Sequence, residues 1–116
     1  MSVQKTWAMI IGIILLLVGI LGFVMSSPLL GIFPVNTLHN VVHLVTGLIF
    51  VWAGFSSNMS MTKGTNQWLG VIYILVGIIG FFGVLGFLAI SGGADPDNFL
   101  HLGIGIVSAL IGWMAK

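Results

Sequence analysis

Residues Trp7 to Met25 read WAMIIGIILLLVGILGFVM, 19 positions without a charged side chain. A helix rises ~1.5 Å per residue, so this stretch nearly covers the ~30 Å of a bilayer's hydrocarbon. Three more stretches of the same kind follow, at Thr37 to Phe55, Gln67 to Ile90 and Asn98 to Ala115. Between them, Ser56 to Asn66 and Ser91 to Asp97 are rich in turn-forming residues and read as connecting loops. The first stretch starts after Lys5 and ends near Ser26 and Ser27, as a secretory signal would. It exceeds the ~7–15 residues of a signal core and lacks a clear small-x-small cleavage site, so it is read as a retained span.

Composition points the same way. Of 116 residues, 59% are hydrophobic and 4% charged, whereas soluble domains carry about 25% charged residues. The mean hydropathy is +1.24. A net charge of +1 excludes the basic stripe that nucleic-acid phosphates require. Without cysteine there is no disulfide framework, thiolate nucleophile or thiolate metal site. Lys5, Lys63 and Lys116 fall on one side of the four spans, Asp95 and Asp97 on the other. Positive residues stay cytoplasmic, so both termini are expected inside.

Shifted against itself by 58 residues, the chain aligns without a gap and is identical at 18 of 58 positions. Val18-Gly19-Ile20-Leu21-Gly22-Phe23 falls on Val76-Gly77-Ile78-Ile79-Gly80-Phe81, and Asn40-Val41-Val42-His43-Leu44 on Asn98-Phe99-Leu100-His101-Leu102. Apolar coincidences are cheap in such a chain, but aligned Asn, His and Lys are not. The expected fold is therefore an all-α membrane protein, a four-transmembrane-helix bundle of two tandem parallel hairpin repeats, 1–58 and 59–116. These would be related by a pseudo-twofold axis along the membrane normal.

Glycine recurs at seven-residue spacing in every span: Gly12 and Gly19, Gly47 and Gly54, Gly70 and Gly77, Gly105 and Gly112. Seven residues is about two helical turns, so each pair shares a face. In lipid, helices associate through close backbone approach, which small residues permit. These stripes are expected to face other helices. Gly80, Gly83 and Gly86 extend the third span's ridge and could seat another helix of the bundle or one from a second subunit.

The string Gly31-Ile32-Phe33-Pro34-Val35-Asn36-Thr37-Leu38-His39-Asn40-Val41-Val42-His43-Leu44-Val45-Thr46-Gly47, with Asp97-Asn98-Phe99-Leu100-His101-Leu102-Gly103-Ile104-Gly105, resembles the bacterial membrane-protein family catalogued as domain of unknown function 4383. The resemblance covers nearly the whole chain. It implies a four-span architecture and carries over no reaction and no catalytic residue.

The polar residues converge at the outer starts of the second and fourth spans. His39 and His43 are four apart, as are Asp97 and His101, so each pair shares a helix face. The repeat matches His43 with His101 and His39 with Asp97. Facing each other, these four residues would offer three imidazoles and a carboxylate, a set that suits zinc, copper or non-haem iron. A haem or other tetrapyrrole between His43 and His101 is a second possibility, with Gly47 and Gly105 leaving room for a ring edge. The plainer role is capping and interhelical hydrogen bonding, with Thr37 or Asn36 starting the second helix and Asp95-Pro96 the fourth. Pro28 to Val35 reads as an apolar outer loop dipping into the interface, and Trp7, Trp68 and Trp113 as an interfacial belt.

No carboxylate pair, midplane charge or nucleophile setting is present, so catalysis is not expected. The sequence favours a small membrane subunit or scaffold working by helix association in the bilayer, with itself as a homo-oligomer or with other membrane proteins. The alternative is a metal- or haem-binding protein using His43 and His101.

Overall fold

The computed structural model describes residues 2–25, 27, 29 and 31–116. Among these, four α-helices follow in order, α1 (Val3–Val24), α2 (Thr37–Phe55), α3 (Met59–Phe81) and α4 (Pro96–Met114), with a 3-10 turn at Gly86–Leu88. All four are long and apolar enough to cross a bilayer. The chain is an integral membrane protein built as a four-helix bundle.

Each helix start is fixed by a side chain that accepts an otherwise unpaired backbone N–H. Ser2 accepts from Lys5, Asn36 from His39, and Asn58 from Ser60 and Met61. Asp95 accepts from Asp97, with Pro96 in the first turn. At the opposite ends, side chains satisfy the last carbonyls, which no helix can satisfy for itself. Gln4 donates to the carbonyls of Ile111 at 2.6 Å and Ala115 at 3.0 Å, and Gln67 to Gly112 at 2.9 Å. Thr62 donates to Ala53 at 2.7 Å, and the Lys5 ammonium to Ser56. The starts of α1 and α3 and the ends of α2 and α4 thus share one end of the bundle.

The third span differs from the sequence reading. It starts at Met59 rather than Gln67 and ends at Phe81 rather than Ile90, so most of Ser56 to Asn66 is helix and not loop. Two of the polar residues there face into the bundle: Thr62 and Asn66 are fully buried, and Asn66 donates to both the backbone and side-chain oxygens of Gln4. The far end stops at Gly83, whose φ of +74° takes the left-handed conformation that ends helices at little cost in glycine. Beyond it the chain folds back, and Leu85, Leu88 and Ile90 pack together against Val76. Gly83 and Gly86 are therefore outside α3 and add no ridge to it.

Ser26, Pro28 and Leu30, used in the signal and outer-loop readings, lie outside the described residues. Their neighbour Leu29 is buried and exchanges backbone hydrogen bonds with Phe33. Trp68 and Trp113 are exposed and meet edge to face at 5.7 Å. Trp7 departs from the expected belt: it turns inward and donates to Ser108 at 2.9 Å.

The bundle is two tight hairpins, α1 with α2 and α3 with α4, joined more loosely to each other. All eight glycines at seven-residue spacing meet the other helix of their own hairpin. A methyl on Gly12 would stand 2.9 Å from the Gly47 oxygen, and one on Gly105 would stand 2.7 Å from that of Gly70. Equivalent positions in the two halves thus make equivalent contacts. Between hairpins the apolar core is Ala8, Ile11, Leu15, Phe50, Tyr73 and Ile104.

A methyl at Gly105 meets backbone atoms of Ile74 and Gly70, which cannot rotate away. Gly105→Ala should therefore destabilise the protein by about 1–3 kcal/mol. Gly103→Ala, whose new methyl meets nothing, should stay within about 0.5 kcal/mol of the parent. Reversible unfolding in mixed micelles would measure both.

Candidate functional site

The first turns of α2 carry His39, whose backbone N–H is held by Asn36 at 2.9 Å, and His43 one turn further on. A rise of ~1.5 Å per residue stacks the two imidazoles on one face, with ring centroids 4.4 Å apart. His101 reaches them from α4, its centroid 5.5 Å from His39 and 6.1 Å from His43. No Cα of α2 lies within 8 Å of one in α4. The space between these helices is filled by imidazoles instead of backbone contact.

All three rings are at most 2% exposed, and one nitrogen from each falls within 4.8 Å of the others. Among the described residues, neither nitrogen of His39 has a hydrogen-bond partner, nor has Nδ1 of His43 or of His101. The carbonyls of Pro34 and Leu88 neighbour His39 without reaching hydrogen-bond geometry. Leaving a buried polar group unpaired costs about 1–3 kcal/mol. Several such groups meeting at one point are the arrangement a ligand resolves.

Asp97, expected as a fourth ligand, does not join this set. It is 1% exposed, neither carboxylate oxygen has a partner among the described residues, and it lines a cavity beside His43. Asn98 donates to the carbonyls of Ser91 and Gly93 at 3.1 Å each, anchoring the α4 start. A methyl on Gly22 or Gly80 would overlap the amide oxygen of Asn40 or Asn98 respectively, so each asparagine is seated against a glycine of its hairpin partner.

Gly47 and Gly105 do not open toward the histidines. They face Leu16 and Ile74 within their own hairpins. The His39 ring sits close to both His43 and His101, and the cavities beside the rings measure about 50 and 130 Å³, against roughly 300–1,000 Å³ for pockets that take larger organic ligands. This packing suits a single ion better than a macrocycle between the rings.

One residue escaped the sequence reading. Tyr73 is buried in mid-α3, its ring centroid 5.6 Å from His101 and its hydroxyl 2.7 Å from that of Thr46. The available signal was that the chain's sole tyrosine stands where the other repeat has Leu15.

Fold and site together define a small four-span membrane protein with a buried cluster of three histidines where its two hairpins meet. The chain belongs to the family described as domain of unknown function (DUF4383), whose model matches residues 5–114. No curated protein and no solved structure matches it.

The Thr46 and Tyr73 hydroxyls form one of the few direct side-chain bonds between hairpins. A double-mutant cycle with Thr46→Val and Tyr73→Phe should give a coupling of about 0.6–1.7 kcal/mol, the scale of hydrogen bonds between membrane helices. Unfolding in micelles would read it.

Proposed function

We propose that this protein binds one transition-metal ion in the membrane through His39, His43 and His101. The observation that carries this reading is the convergence of three buried imidazoles, one nitrogen of each within 4.8 Å of the others. Three neutral nitrogen donors without thiolate suit zinc, copper or ferrous iron. Charge supports it as well. The chain's two carboxylates, Asp95 and Asp97, both lie at the start of α4, so a divalent cation there would be balanced where uncompensated charge is costly.

The reading is of a binding protein and not an enzyme. The glycines at seven-residue spacing are spent inside the hairpins, as helix packing requires, and among the described residues leave no small-residue stripe for a partner. The outward faces carry large apolar side chains such as Leu17, Leu48, Leu75 and Leu110, which suit lipid contact. With its lysines cytoplasmic, the histidine cluster would lie in the outer leaflet of a bacterial plasma membrane.

Elemental analysis of protein purified in detergent without added chelator should find about one zinc, copper or iron per chain. His39→Ala and His101→Ala should each lower metal affinity at least about tenfold, while Gly103→Ala leaves it unchanged. Protein that carries no metal and takes up none of the three ions at micromolar concentration would reduce the cluster to a structural role.

Topology has its own test. Single cysteines at Ser57 and at Gly93 should be labelled by a membrane-impermeant maleimide from opposite sides, Gly93→Cys in intact cells and Ser57→Cys only after lysis. Labelling of both from one side would refute the four-span orientation.

A further inference from the structure

Two cavities flank the histidine cluster, and their walls correspond under the 58-residue repeat. One is lined by His39, His101, Tyr73 and Thr46 among others, the second by Asp97, His43, Leu15 and Ile104 among others. Position for position, His39 answers to Asp97, His101 to His43, Tyr73 to Leu15 and Thr46 to Ile104. They are twin clefts between the hairpins, one on either side of the imidazoles.

The twins are filled differently. In the first, the protein's own phenol ring stands beside His101 with its hydroxyl on Thr46, and about 50 Å³ remains. In the second, Leu15 stands where the tyrosine would be, and about 130 Å³ remains. A dry cavity of about 150 Å³ takes a benzene ring. This one is walled by aliphatic side chains and roofed by Leu29, Phe33 and Val35 of the outer loop. Its polar features are His43 and Asp97, the latter fully buried with both oxygens unpartnered among the described residues.

Ionised or protonated, a carboxyl group keeps acceptor capacity, so a ligand that brings a donor meets a partner there. The ring-sized volume sets the size of its head. Ile14 on the rim is half exposed on the outer face of α1, so access is from the lipid side. We propose that this cleft binds the ring of a lipid-soluble phenol, its hydroxyl donating to Asp97 beside His43, in the place that Tyr73 takes in the twin cleft.

The proposal does not depend on a metal at the histidines, and its test is run with EDTA present. Full-length protein in nanodiscs is titrated with 4-octylphenol and with octylbenzene, which lacks the hydroxyl. The phenol should bind at least about tenfold more tightly, the worth of one buried hydrogen bond that octylbenzene leaves unmade. Leu15→Tyr, which supplies a ring from the chain itself, should weaken phenol binding at least about tenfold by filling the space. Asp97→Leu should bring the phenol down to the level of octylbenzene. Equal affinities for the two probes in the parent protein, or unchanged phenol affinity in Leu15→Tyr, would overturn the proposal. Leu15→Tyr keeps it testable should Asp97→Leu fail to fold.

Discussion

Backbone approach at paired glycines is the contact on which the rest of the bundle depends. Lipid offers helices no hydrophobic incentive to associate, so van der Waals contact and hydrogen bonds must hold them. Gly12 against Gly47 and Gly70 against Gly105 bring two backbones together in each hairpin. That closeness lies within hairpins and not between them. The two hairpins meet over a thinner core of Leu15, Phe50, Tyr73 and Ile104, stitched by Trp7 to Ser108 and Thr46 to Tyr73. The wider gap between α2 and α4 is what gives three imidazoles room to converge.

The two ends of the bundle treat their polar groups in opposite ways. At the lysine end, Gln4, Thr62 and Gln67 spend their donors on the last carbonyls of the neighbouring helices. At the other end His39, His43, His101 and Asp97 are just as buried yet carry atoms without a partner among the described residues. Both sets face the same penalty for desolvation. The lysine end meets most of that cost directly, leaving Asn66 Oδ1 without a partner among the described residues, whereas the far end brings several such imidazole and carboxylate atoms close together.

The number of spans and the hairpin pairing were legible in the sequence, because apolar length and a gapless repeat can be read along the chain without its packing, and the family was legible from the strings around His39, His43 and His101. The limits of the third span were not read correctly, although the repeat itself held the answer: Val3–Val24 shifts onto residues 61–82, close to the observed Met59–Phe81. Hydropathy misled there, because Thr62 and Asn66 look like loop residues until their partners Ala53 and Gln4 are in place. In the site, helical spacing indicated that His39 and His43 share a face. Whether Asp97, His101 or both would reach them depends on how α4 is placed against α2, and spacing within one helix carries no information on that. Tyr73 was missed for a related reason, since its role comes from Thr46 and His101 on other helices.

The pairing of His39 with Asp97 across the repeat has a consequence for how such a site can exist at all. Two identical hairpins associating as separate chains would have to present the same residue on both sides of the axis, two histidines or two aspartates, with two equal clefts. Joining the copies in one polypeptide removes that obligation. Each half can then alter its side of the axis independently, so that one cleft keeps an imidazole and a tyrosine while the other keeps a carboxylate and an open space. Covalent linkage is thus what allows two hairpins of repeated sequence to hold an asymmetric interior.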